Sequence, residues 1–305
     1  MNKLVKTIVG FLLITFLFIF SCQKKEDNEE TILKGKATIY VDESLVPIVE
    51  DEEAVFENQY DAKLHLVPRS ETEVLNALLN DTAKIAILTR KLNDKELNVF
   101  KVKKINPRIT PFATDAIAFI RNKNSNDTLI ALQDVFYFMN GKEVKSIKGL
   151  VFDNPNSSTV SYLKNVSGIK DTTQKNIYSF KTNNEVIKYV SENDGMIGVV
   201  GINWIFQPEL IMQETVDKVN LLSVKGINSK EYIYPSQDKI AGGYYPLARD
   251  LYIVNCQGYT GLGMGFASFL GGERGQRIIL KSGLVPFRFP SRKILARKEI
   301  TKEIK

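Results

Sequence analysis

From Ala37 onward, apolar and polar positions switch between two periods. Thr38-Ile39-Tyr40-Val41 is a β-branched and aromatic run that predicts a strand. Pro47 opens a segment in which Ile48, Val49, Val55, Phe56 and Tyr60 recur at helical spacing, with proline well placed near a helix start. Leu64 to Val67 predicts the next strand. A helix with Val74, Leu75, Leu78 and Leu79 on one face follows, and Lys84 to Leu88 predicts a third strand. This β-α-β-α-β order implies a parallel sheet with helices on its faces. In such sheets ligands sit beyond the carboxyl ends of the strands, where helix N-termini point.

The alternation resumes further on. Strands are predicted at Ala116–Ile120, Gly149–Phe152, Gly195–Gly201 and Leu251–Val254. Helices are predicted at Leu132–Met139, Ser157–Asn165, Asn184–Ser191, Gly263–Leu270 and Glu273–Lys281. No internal repeat of fixed period is present.

The first 21 residues have a different pattern. Lys3 and Lys6 precede an apolar run from Ile8 to Phe20, too short to span a bilayer and of the length of a signal-peptide core. Ile19-Phe20-Ser21-Cys22 places a small residue before a cysteine, the pattern of a lipoprotein cleavage site, so the expected mature chain starts at a lipidated Cys22. An ordinary signal peptide cut elsewhere is the alternative. Residues 22–35 include Lys24-Lys25-Glu26-Asp27-Asn28-Glu29-Glu30, too polar to bury, and form a flexible acidic tether. The cluster is either a solvated stalk or resembles the surface-export signal of some Gram-negative lipoproteins. The expected location is therefore the cell envelope of a Gram-negative bacterium, on the periplasmic face, with surface exposure open.

Composition narrows the function. The chain has 305 residues, 44% of them hydrophobic, enough for one large or two medium domains. Its formal charge of +6 falls to about +4 without Lys3 and Lys6, and the cations are spread among 35 acids, so no nucleic-acid surface is expected. The basic stretch Arg292 to Lys305 predicts a solvated terminal helix. With Cys22 lipidated, Cys256 is left without a disulfide partner and is expected to pack as a small hydrophobe. His65 is the sole histidine, and HExxH, CxxC, GxSxG and Walker patterns are absent, so neither an enzyme nor a metal site nor a cofactor is expected.

Seven segments, in order, carry a resemblance to a known family. Ile85 to Leu92 resembles a "DIAxxSRxL" segment, Thr114 to Ile120 "xDAIAxIV", and Leu132 to Lys142 "LxxIFxGK". Ser157-Ser158-Thr159 falls where the family has Ser-Gly-Thr. Gly195 to Gly201 resembles "GAIGYVG", Tyr245 to Ile253 "YPLSRPLYV", and Glu273 to Pro286 "PEGQxIIxxxGYVP". The chain thus resembles the phosphate-binding proteins of ABC importers, within the type II periplasmic binding fold. That resemblance implies two hinged α/β lobes, each with a mostly parallel central sheet. One lobe would combine residues 36–114 with 249–305, the other would be 115–248. It further implies a monomer that captures phosphate or a similar oxyanion for an ABC importer permease and meets the membrane only through its lipid.

The site implied by the resemblance comprises Ser44, Ser70, Thr89 with Arg90, Asp153, and Ser157, Ser158 and Thr159. Hydroxyls and helix N-termini suit oxyanion oxygens because they present oriented N–H and O–H groups. Ser70 and Ser157 are also good N-caps, which need no ligand; Arg90 can pair with a neighbouring carboxylate, and Asp153-Asn154-Pro155-Asn156 is turn chemistry in its own right. Two departures bear on the ligand. Val41-Asp42-Glu43 stands where phosphate binders carry Gly-Ser-Thr, and the arginine expected before Ser-Gly-Thr is replaced by Phe152 or Asp153, while Arg69 is a candidate to compensate. The alternative function is a lipoprotein that keeps the fold as a sensing or interaction module of an envelope complex.

Overall fold

The computed structural model describes residues 30–169 and 175–291. The leader, Cys22, most of the tether and the basic C-terminal stretch lie outside the described residues. The chain runs β1 (Lys34–Asp42), α1 (Val46–Gln59), β2 (Asp61–Arg69), α2 (Glu71–Leu79), β3 (Ile85–Leu88), α3 (Asp94–Val102) and β4 (Arg108–Asn122). There follow β5 (Leu129–Ala131), α4 (Leu132–Met139), β6 (Gly149–Phe152), α5 (Ser158–Ser167), β7 (Ile177–Ser179), α6 (Asn183–Glu192) and β8 (Met196–Gly201). Beyond three short helical segments come β9 (Val219–Leu221), β10 (Ser223–Lys225), β11 (Tyr232–Ile233), then, after a short helix at Gln237–Ala241, β12 (Ala248–Asn255), α7 (Leu262–Leu270), α8 (Glu273–Lys281) and β13 (Val285–Pro286).

Local chemistry accounts for the helix starts. Pro47 occupies the first turn of α1, where its missing N–H has no intrahelical partner to lose. At α2, Glu73 Oε2 accepts both the N–H and the hydroxyl of Ser70. Asn93 with Glu96, and Thr182 with Glu185, form reciprocal capping boxes for α3 and α6.

The main sheet has the order β2-β1-β3-β12-β4-β8-β6-β7. Its two ends are parallel: β2, β1 and β3 on one side, β8, β6 and β7 on the other. The middle is antiparallel, through β3–β12, β12–β4 and β4–β8. The expected mostly parallel lobes therefore meet through crossing strands that run against them. β4 supplies the join: its first half pairs with β12 and its second half with β8. The expected lobe boundaries at 114/115 and 248/249 fall on this ladder, where Arg249 is paired with Asp115. We call the β1–β3 side the first lobe and the β6–β8 side the second. A small sheet, β11-β10-β5, flanks the second.

Helices cover both faces, as a two-layer solution to burying an apolar sheet requires. Phe56 of α1 meets Phe266 and Phe269 of α7 edge-on, each pair 5.3 Å between centroids. Val186, Ile187 and Val190 of α6 are fully buried against Ile120 and Val200. Cys256 is a free, buried thiol packed with Val74, Leu78 and Phe100.

Candidate functional site

The candidate site lies where the loop after β1 meets the start of α5. At the end of β1, Asp42 turns back on the chain. Its Oδ1 accepts the Ser44 N–H at 3.0 Å and the Ser44 hydroxyl at 2.8 Å. This caps the short 3-10 turn Glu43–Leu45 that leads into α1. Across the cleft, Ser158 opens α5, and its Oγ lies 3.0 Å from Ser44 Oγ. Asp42, Ser44, Ser158 and Thr159 are all essentially inaccessible to solvent.

Arg249 ties the two serines together. From β12 its Nη1 donates to Ser158 Oγ at 2.9 Å and its Nη2 to Ser44 Oγ at 3.1 Å. Nε and Nη2 also donate to Asp115 Oδ2, at 3.2 and 2.9 Å. Burial pushes the Asp115 carboxyl up, and the guanidinium opposes that shift. A guanidinium can serve this many acceptors because its five N–H groups form a rigid planar fork.

The hydroxyl protons can be assigned by following the acceptors. Ser44 gives its proton to Asp42, so Ser158 supplies the proton of the serine–serine bond. Each central donor thus already faces a protein acceptor. An oxyanion entering here would take over hydrogen bonds that now hold the two lobes together.

The neighbouring acids are unusual for an anion site. Asp153 accepts from the Ser157 hydroxyl at 2.5 Å and from Asn183 Nδ2 at 3.2 Å. Burial lifts its pKa to about 7. Glu43 is also lifted to about 7, by burial first and then by Asp153, Asp42 and Glu73. Both shifts disfavour the charged carboxylate, as expected where acids crowd in a low-dielectric gap.

The expected site residues therefore divide. Ser44 and Ser158 touch, Thr159 is buried one residue on, and Asp153 with Ser157 sits at the base of α5. Ser157 uses its hydroxyl as the α5 N-cap, accepting from Val160 N as well as donating to Asp153. Ser70 caps α2 through Glu73, and Thr89 is buried just beyond the end of β3. Arg90 is held by Glu71 at 2.7 Å and Glu96 at 2.8 Å. It lines a groove of about 840 Å³ between the lobes, opposite Ser161, Lys164 and Asn165. Arg69 donates to the carbonyl of Pro68.

Arg249 is the residue that the sequence reading passed over. Gly201 lies beside it and makes room for its neighbours: a Cβ there would lie 2.8 Å from Asn203 Oδ1 and 3.2 Å from the Ser44 carbonyl oxygen. Further contacts cross the cleft from the same region, with Trp204 Nε1 donating to Ser44 O at 3.0 Å and Gln207 Nε2 to Asp51 Oδ2 at 2.5 Å.

Residues 28–274 match a family model described as a PBP superfamily domain. The chain belongs to the PBP superfamily. Among solved structures, this PBP-superfamily chain is similar to a putative phosphate ABC transporter substrate-binding protein with bound phosphate from Clostridium perfringens. That match has 19% identity and a TM-score of 0.68, covering 83% of this chain and 100% of that one. An ABC-type phosphate transport receptor from Vibrio cholerae matches at 17% identity and a TM-score of 0.63, over 83% and 100% of the two chains. A possible phosphate binding protein from Planctomyces limnophilus matches at 16% identity and 0.58, over 83% and 93%. No curated protein matches the sequence. These structural likenesses show the shared fold, that of periplasmic binding proteins. No helix among the described residues is long and apolar enough to cross a membrane.

Proposed function

We propose that this protein is an extracytoplasmic, lipid-anchored solute-binding protein that captures phosphate or a related oxyanion between its lobes for ABC-type import. The observation that carries the reading is the contact of Ser44 with Ser158, bridged by Arg249 at the start of α5. Hydroxyls, a helix N-terminus and a guanidinium converge there from both sides of the cleft, the donor set an oxyanion requires. Arg249 takes the part expected of the arginine missing before Ser157. Structural relatives described as phosphate binders support the same class. Closure over ligand would use β4 and β12 as the hinge, and the permease would recognise the shut form.

Calorimetry with phosphate, sulfate and an unrelated anion tests this. Heat with phosphate at neutral pH supports the reading; no heat with any oxyanion ends it. Radiolabelled palmitate incorporated by the native chain and lost in Cys22→Ala would establish the anchor. Recovery of an importer permease from solubilised envelope would reject the interaction-module alternative.

A further inference from the structure

Buried polar atoms without partners surround the Ser44–Ser158 cluster: Asp115 Oδ1 and Asn183 Oδ1 are acceptors beside Arg249 and Asp153, and three more atoms lie at its two ends. At the α5 end, Thr159 Oγ1 is fully buried and has no hydrogen-bond partner. It stands in the first turn of a ten-residue helix, whose opening N–H groups carry partial positive charge. At the β1 end the unpartnered atoms are acceptors: Asp42 Oδ2, in a side chain with no solvent exposure, and Glu43 Oε1. The two ends are separated by two consecutive hydrogen bonds, Asp42 to Ser44 and Ser44 to Ser158.

The charges are equally lopsided. Burial first, and then Asp153, Asp42 and Glu73, all acidic, raise the Glu43 pKa to about 7. Arg249, the cation at the centre, has its charge balanced by Asp115, while its Nη1 and Nη2 donors also face the two serines. A bare dianion would enter a cleft where carboxyl groups outnumber the guanidinium, and buried carboxyl oxygens would remain without donors. Among the described residues no cluster of three or more His, Cys, Asp or Glu side chains could hold a metal ion, so the acceptor end suits an N–H donor.

We infer, building on the oxyanion reading above, that the ligand is a small zwitterion whose oxyanion is joined by a short linker to an ammonium group. The oxyanion goes to Arg249, Ser158, Thr159 and the start of α5. The ammonium goes to Asp42 Oδ2 and Glu43 Oε1, giving both acceptors the charged donor they lack. Glu43 thereby acts as the residue that separates an amino-substituted oxyacid from its plain counterpart.

Calorimetry on the full mature chain with three probes decides this: 2-aminoethylphosphonate, ethylphosphonate and inorganic phosphate. The aminated probe is expected to bind about tenfold or more tightly than ethylphosphonate, the difference one buried charged hydrogen bond can make. Glu43→Gln should cut the preference by about threefold or more, with Asp42 Oδ2 keeping the remainder. Glu43→Lys supplies the cation from the protein and should reverse the order, and it serves as the second variant if Glu43→Gln fails to fold. Equal affinity for the two phosphonates, or tighter binding of phosphate than of the aminated probe, overturns the zwitterion while leaving the oxyanion reading intact. Absence of heat with all three probes instead removes the oxyanion reading, and the zwitterion with it.

Discussion

Trp204 Nε1 donates a 3.0 Å hydrogen bond to the carbonyl oxygen of Ser44, joining the second lobe to the loop that leads into α1. Trp204 is the only tryptophan in the chain and is 7% exposed. Its emission therefore reports on the cleft alone. Ser158→Asp sets a carboxylate beside Asp42, opposite Ser44. We expect that variant to lose oxyanion binding and to shift Trp204 emission to the red as the lobes part. An unshifted spectrum in a folded Ser158→Asp protein would mean that the Trp204–Ser44 contact survives without the serine pair.

Arg249 and Asp115 form an ion pair with side chains 1% and 0% exposed. Removing one partner leaves a buried charge with no compensation, so Arg249→Ala should cost about 3–5 kcal/mol in urea unfolding. Replacing both, as Arg249→Met with Asp115→Leu, should recover most of that loss while abolishing anion binding. A single-variant cost under about 1 kcal/mol, the range of exposed pairs, would show that solvent reaches the pair.

Stability should fall as pH rises, and Glu52 is the main cause. Both of its carboxyl oxygens are buried without hydrogen-bond partners, and burial, assisted by Asp51, raises its pKa to about 9. A carboxyl raised in the fold binds its proton more tightly there than in the unfolded chain. Its contribution is thus complete below its ordinary value of 4.5 and is lost progressively up to about 9. Asp153 and Glu43 act in the same direction up to about 7. Glu52→Gln should flatten the profile, being more stable than wild type at pH 8 by on the order of 3 kcal/mol and nearly equal at pH 4. Parallel wild-type and variant profiles would contradict this.

Gly265 allows the chain to pass over α7. A Cβ there would run into the carbonyl group of Ile32. That segment is anchored by Glu30, which accepts from Leu262 N, Gln257 Nε2 and Tyr259 OH at 2.6, 3.0 and 2.9 Å. Gly265→Ala should release it, with faster amide exchange at residues 31–34 and a loss of about 1–3 kcal/mol from overpacking. Unchanged exchange there would mean that α7 moves instead.

Much of the fold could be read from the chain because its strands are β-branched and its helices carry clear apolar stripes. Leu132–Met139 and Glu273–Lys281 are helices over the expected residues. The helix Asp94–Val102 had no such stripe: Leu97, Val99 and Val102 are exposed, and only Phe100 is buried. The site was harder to read. Arg249 and Asp115 lie 134 residues apart in the chain, and only the pairing of β12 with β4 brings their charges together. Asp42 stands where phosphate binders carry a neutral residue, and its carboxylate opposes an anion. It also holds Ser44 in place, a role that depends on a turn whose geometry the residue types do not reveal.

The fifteen-residue strand β4 belongs to the sheets of both lobes. Neither lobe can therefore be excised as a contiguous fragment without stripping a neighbour from the other's ladder. The first also needs the distant β12, so its sheet cannot close until synthesis has passed Asn255. Fragments ending before residue 248 should accordingly expose the edge of β3 and self-associate, which makes late synthesis the vulnerable stage of this protein's life.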